Sequence, residues 1–118
     1  MNMMQDWIND LADAKVAPIA DGARSAEILT NGSMRLLYYQ PRGKDLQTPH
    51  TQDEIYIVMS GSGTYAVGPS EDELERFAFK AGDAIFTPAG HVHRFEDFTD
   101  DFGTWVVFWG PEGGETPA

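Results

Sequence analysis

Gly82-Asp83-Ala84-Ile85-Phe86-Thr87-Pro88-Ala89-Gly90-His91-Val92-His93-Arg94-Phe95 is the stretch of this 118-residue chain that decides its fold. Ala84 to Thr87 is a short run of strand formers. Pro88-Ala89-Gly90 is a turn, and Val92 to Phe95 opens a second run. Pro88 presets the turn that delivers His93, and Gly82 and Gly90 supply backbone freedom where the chain reverses. The same design extends outward. Met34 to Tyr39 ends before Pro41, and Ile55 to Met59 closes on Ser60-Gly61-Ser62-Gly63. Thr64 to Val67 follows at once and reads as a hairpin with it. Phe77 to Phe79 ends at Ala81-Gly82-Asp83, and Thr104 to Trp109 is the last run. Short strands at spacings near ten, divided by Gly and Pro turns, predict an all-β sandwich or barrel.

No helix of core length is expected after residue 20. Residues 5 to 14 predict one short helix with Trp7, Ile8 and Leu11 on a shared face, ended by Pro18. The chain length predicts a single domain over 1–118. Within it the expected parts are an N-terminal helix and arm over 1–30, a barrel core over about 34–109 and a loose tail over 110–118. The charged loop Glu71-Asp72-Glu73 simply faces water, because nothing around it resembles a calcium loop.

Nineteen acidic residues against eight basic ones give a formal charge of -11. Such a chain has no basic patch with which to neutralise phosphates, so nucleic-acid binding is not expected. There is no cysteine, which permits a reducing compartment. Met1 to Asp6 lacks the basic and apolar regions of a secretory signal, and no apolar run approaches the length of a membrane span. A cytoplasmic protein with no membrane partner is the expectation.

The three histidines fall in two short segments, Pro49-His50-Thr51-Gln52-Asp53-Glu54 and Pro88-Ala89-Gly90-His91-Val92-His93. Strand alternation puts Glu54, Tyr56 and Val58 on one face, and Ile55, Ile57 and Met59 on the other. A carboxylate that opens an apolar row is costly unless paired or bound to a metal. Two imidazoles and a carboxylate are a recurring open metal site. In the early strand Arg35 suggests that Arg35, Leu37 and Tyr39 look outward. For the final strand the pattern leaves open whether Trp105, Val107 and Trp109 or Val106 and Phe108 look inward.

These residues carry a resemblance to a small single-domain cupin over roughly 34–109. The first cupin motif runs Gly, five residues, His-x-His, three or four residues, Glu, six residues, Gly. His50, Glu54 and Gly61 match it, Gly43 is displaced by one, and the first His falls on Thr48. The second motif runs Gly, five residues, Pro-x-Gly, two residues, His, three residues, Asn. Gly82, Pro88, Gly90 and His93 match it, and Asp97 takes the Asn place. The resemblance implies a double-stranded β-helix, a jelly-roll barrel with a short N-terminal helix, whose first-motif His is replaced by Thr48. It implies a divalent metal ion (Fe, Mn, Ni or Zn) held by His50, Glu54 and His93, with Gln47 as a fourth ligand and Gln52 and His91 as weaker substitutes. It further implies a homodimer with a small-molecule ligand in the barrel. The expected function is a metal-dependent enzyme, with dioxygenation first and isomerisation or decarboxylation next. The alternatives are a non-catalytic binding or sensing module and a metal-free remnant of the fold.

Overall fold

The computed structural model describes residues 7–116. The single α-helix among the described residues, α1, spans Leu11–Val16, and Asp10 caps it by accepting a hydrogen bond from the Asp13 N–H at 3.0 Å. An aspartate at this position satisfies an N–H that has no partner inside the helix. The cap starts the helix later than the periodicity predicts, so Trp7 and Ile8 precede it and stand in solvent. Gln5 and Asp6 of the expected helix lie outside the described residues. The helix stops at Val16, one residue before the extended Ala17 that Pro18 requires.

Eight strands follow: β1 Ala26–Asn31, β2 Met34–Tyr39, β3 Asp53–Ser60, β4 Ser62–Gly68, β5 Glu75–Lys80, β6 Ala84–Thr87, β7 Val92–Glu96 and β8 Gly103–Trp109. Seven were predicted from composition. β1 was not, because Ala-Glu-Ile-Leu-Thr-Asn alternates poorly. It is held by antiparallel pairing to β2, with a bulge between Glu27 and Leu29. All pairings are antiparallel, in one sheet of order β1-β2-β8-β3-β6 and a second of order β5-β4-β7.

This corrects the expected jelly-roll barrel. Among the described residues no strand of one sheet pairs with a strand of the other, and neither sheet closes on itself. The protein is a mostly antiparallel two-sheet β structure with a short helix. The physical reason lies between the sheets, where Tyr56, Tyr65, Phe79, Phe95 and Phe102 are all buried. Phe95 alone has ring contacts with Tyr39, Tyr56, Tyr65, Phe79 and Phe102. Rings filling the interior hold the layers at a face-to-face packing distance, roughly 10 Å, about twice the spacing of hydrogen-bonded strands.

The expected β3–β4 hairpin is also corrected. β3 belongs to the large sheet and β4 to the small one, so Gly61 carries the chain from one layer to the other. Gly61 has φ 83°, and a Cβ there would lie 2.6 Å from the Phe102 Cα. The left-handed backbone and the close approach both demand glycine.

Cross-strand register arranges the large sheet in rows. One row on the inner face reads Thr30, Arg35, Phe108, Glu54, Thr87 from β1 to β6. The next is Leu37, Val106, Tyr56, Ile85. Arg35 therefore shares its face with Leu37 and Tyr39, both core residues, which overturns the expectation that this face looks outward. Hydrophobic burial of two neighbours outweighs one charge whose head stays partly accessible at the end of the sheet. Val106 and Phe108 are the inward residues of β8. Glu54, Tyr56 and Val58 face inward on β3 as the alternation predicts, each at most 1% exposed.

Gly61→Ala is expected to destabilise the protein by about 2–4 kcal/mol through the left-handed backbone and the clash at Phe102. A lower urea midpoint at unchanged slope would confirm it, and an unchanged midpoint would refute the account of the crossing.

Candidate metal centre and its cavity

His50, Glu54 and His93 each bring a ligand atom within 4.8 Å of the other two. They come from three places. Glu54 is the second residue of β3, and His93 is the second residue of β7 in the opposite sheet. His50 lies in the segment before β3, where the Gly90 N–H donates to its carbonyl at 2.7 Å. That bond ties the two histidine-bearing segments together. The turn at Ala89 is held from the other side, its N–H donating to Asp53 Oδ1 at 2.9 Å. The segment after β8 closes the same end, with Gly113 N–H donating to the Thr51 carbonyl and Glu115 N–H to Asp53 Oδ2.

The expectation of a first-motif ligand lost to Thr48 is corrected by this geometry. The His-Glu-His set is intact, and no member of it is replaced by threonine. Thr48 is an exposed residue of the segment before β3 and stands outside the cluster. His91 contributes its backbone instead of its ring, for the carbonyl accepts from His93 Nδ1 at 2.9 Å. Gln52 spans structural carbonyls, donating to Ser33 O and Gly110 O. Asp83 caps its own turn by accepting from the Lys80 N–H.

A divalent cation fits these groups. Glu54 is 1% exposed, yet neither carboxylate oxygen takes a hydrogen bond, and His93 Nε2 is equally without one. His93 Nε2 lies 2.8 Å from Glu54 Oε1, but the two are not aligned as donor and acceptor. The proton on Nδ1 is committed to the His91 carbonyl, which leaves the Nε2 lone pair available. A lone pair and a carboxylate oxygen at that separation repel unless a positive charge lies with them. Burial opposes the charged form of His93, but the Glu54 carboxylate and the His91 carbonyl outweigh it and raise its pKa. His50 moves the other way. Burial lowers its pKa against the pull of Glu54, and the charges of His93 and Arg35 lower it further.

Asp45, which sequence reasoning missed, organises the next layer. It is buried and accepts from the Tyr39 hydroxyl, from Gln47 Nε2 at 2.7 Å and from the Phe95 N–H at 2.8 Å. With the Gln47 amide nitrogen engaged there, its Oε1 faces the cluster. It accepts from the Tyr56 hydroxyl at 3.2 Å and lies 3.4 Å from His50 Nε2. Burial, and then the Glu54 charge, raise the Tyr56 pKa well above its ordinary value, so its hydroxyl remains a donor. An isolated Asp in Gly43-Lys44-Asp45-Leu46-Gln47 carries no signal of this role, because the Phe95 backbone it anchors is fifty residues away.

Two members of the cluster, His50 and Glu54, line a cavity of about 510 Å³. His50 and Glu54 stand at its inner end with Gln47 and Tyr56, and Leu37, Val106 and Phe108 form its apolar floor. Pro18 to Ser25 contribute the outer wall, so the N-terminal arm helps shape the site. Arg24 and Arg35 add two cations to the lining.

Residues 35–109, which carry every group of the cluster, match the family model for the cupin domain. The chain belongs to the cupin family. An uncharacterised protein of Streptomyces coelicolor is 38% identical to this cupin over 68 residues, covering 58% of this chain and 60% of that protein. An acireductone dioxygenase of Leishmania infantum is 36% identical over 80 residues, covering 58% of this chain and 23% of the enzyme. This cupin thus spans less than two thirds of the length of these curated relatives. A crystal structure of a Bacillus halodurans protein superimposes with a TM-score of 0.71 at 15% identity, covering 92% of this chain and 83% of that one. At that identity the likeness concerns the fold.

Glu54→Leu removes a buried carboxylate that has no hydrogen bond, at the expense of the metal. The metal-free variant is expected to be about 1–3 kcal/mol more stable than metal-free wild type. Added divalent metal should no longer raise its melting temperature. Calorimetry of both proteins after chelation checks this, and a variant less stable than metal-free wild type would refute the reading of Glu54 as an unsatisfied ligand.

Proposed function

We propose that this cupin is a metal-dependent enzyme of small organic molecules, with His50, Glu54 and His93 as the metal ligands and dioxygenation as its reaction. The carrying observation is the buried Glu54 carboxylate beside His93 Nε2, both without hydrogen bonds, where Glu54 and His50 line an accessible cavity. A set of two His and one carboxylate suits non-haem Fe(II) and leaves coordination positions open. Such a metal supplies Lewis acidity and a place for oxygen and substrate to meet. The chain's own residues supply the rest. Gln47, held by Asp45, directs Oε1 toward His50 and serves as a fourth ligand. Tyr56 donates to that oxygen, and Leu37, Val106 and Phe108 exclude bulk water from the floor. The likeness to a protein named acireductone dioxygenase favours dioxygenation over isomerisation or decarboxylation, and makes an acireductone the first substrate to try.

Elemental analysis of protein purified without added metal should find about one divalent ion per chain in the wild type. Both His93→Ala and Glu54→Ala should have lost it. Retention of metal in both variants would refute the ligand assignment. Iron-loaded wild type should consume oxygen when supplied with an acireductone, and His93→Ala should not. Metal bound without oxygen uptake would favour a non-catalytic binding module.

The working unit is a homodimer. On the outer face of the large sheet, Leu29, Leu36, Val107, Ile55 and Phe86 form an apolar row across all five strands. Phe86 is 55% exposed and Met59 38%, more apolar surface than a small single chain leaves in water. A second copy has the same row to offer, as a two-fold contact requires. Light scattering should give a dimer for the wild type and a monomer for Phe86→Glu. A wild-type monomer at all concentrations would overturn the assignment.

A further inference from the structure

We propose that Arg35 anchors the anionic group of a small organic acid whose opposite, oxygen-bearing end lies at the His50–Glu54–His93 cluster, with the Phe108 ring as the floor between them. This rests on the metal reading above, because the cluster holds the other end of the ligand. Arg35, Phe108 and Glu54 are consecutive members of one inner row of the large sheet. At a strand spacing of about 4.8 Å, Arg35 and Glu54 stand roughly 10 Å apart along that row. The Arg35 guanidinium lies over the Phe108 ring, 4.8 Å from its centroid, and the edge-on contact of His50 with the same ring is at 4.8 Å. The cation, the ring and the His50 and Glu54 members of the cluster therefore line one cavity.

Arg35 is half-buried and, among the described residues, its guanidinium forms no ion pair and donates no hydrogen bond. Its neighbour in space is the Phe108 ring and not one of the chain's 19 acids. Arg76 and Arg94 pair with Glu96, Arg94 also with Glu71, and Lys80 with Asp83. Arg24, at the exposed rim of the cavity, is unpaired in the same way. Two carboxylates belong to the lining: Glu54, engaged in the cluster, and Glu27, which is not within ion-pair distance of either arginine. A planar guanidinium braced on an aromatic face is preorganised to take a carboxylate through two parallel hydrogen bonds. The overall charge of -11 repels anions, so any anion that enters needs a local cation of this kind. The row length sets the size of the acid at one ring or a short chain, lying along Phe108.

Calorimetric titration with 3,4-dihydroxybenzoate and with its neutral amide, 3,4-dihydroxybenzamide, tests this on metal-loaded protein. Wild type should bind the acid about tenfold or more tightly than the amide, the usual worth of a charge-assisted pair. Arg35→Met should abolish that preference while keeping its metal content and its affinity for the amide, which shows the variant is folded. Arg35→Lys should retain part of the preference. Equal binding of acid and amide by wild type, or an undiminished preference in Arg35→Met, would overturn the proposal. If the wild type holds no metal, the metal reading fails instead. The same comparison with benzoate and benzamide on metal-free protein then decides the role of Arg35.

Discussion

The Glu54 carboxylate is buried between two β-layers, with His93 Nε2 at 2.8 Å and no aligned hydrogen bond to either oxygen. Taking such a charge out of water costs several kcal/mol, and an imperfectly aligned partner does not return it. The surrounding structure is arranged to tolerate the charge. Aromatic packing between the sheets fixes the separation of β3 and β7, and with it the approach of Glu54 to His93. The Gly90–His50 hydrogen bond fixes the third member. A cation held here by Glu54 of one sheet and His93 of the other would link the two sheets.

Around that centre, buried polar groups find partners in the protein. Asp45 accepts from the Tyr39 hydroxyl, the Gln47 amide and the Phe95 backbone, and so turns the Gln47 carbonyl oxygen toward His50. The His91 carbonyl sets the tautomer of His93. Asp53 stands at the start of β3 and accepts from the Ala89 and Glu115 backbones. Some of these contacts are local and others join distant parts of the chain, and Arg35 and Arg24 line the cavity without an ion pair. Arg35 and Glu54 lie on either side of Phe108 in one row of the sheet. The cavity is therefore polarised along a single direction, from a cation near the rim to a carboxylate inside.

Much of this was legible from local pattern. His50, Glu54 and His93 were identifiable because motif spacing is a local property, and because alternation from Ile55 to Met59 forces Glu54 inward. Seven strands were visible as β-branched and aromatic runs between Gly and Pro turns. The pattern failed where a local signal had two outcomes. Gly61 between two strand runs can turn a hairpin or cross between layers, and the contact with Phe102 that settles it is remote in sequence. Arg35 marks an outer face by its charge, while burial of Leu37 and Tyr39 beside it decides the opposite. Trp7 and Ile8 have helical spacing with Leu11, but the cap at Asp10 excludes them.

The sequence by itself determined the strand runs, the turns and the three ligand residues, because periodicity, glycine and proline act within a few bonds. Tertiary structure alone decided that the strands form two open sheets and not a closed barrel, since ring packing between the layers sets their separation. It also decided that Thr48 leaves the ligand set intact, that Asp45 commands Gln47, and that Arg35 enters the cavity. Those outcomes depend on long-range meetings such as that of Asp45 with the Phe95 backbone, fifty residues on, where the balance of burial and charge is struck only after the sheets have come together.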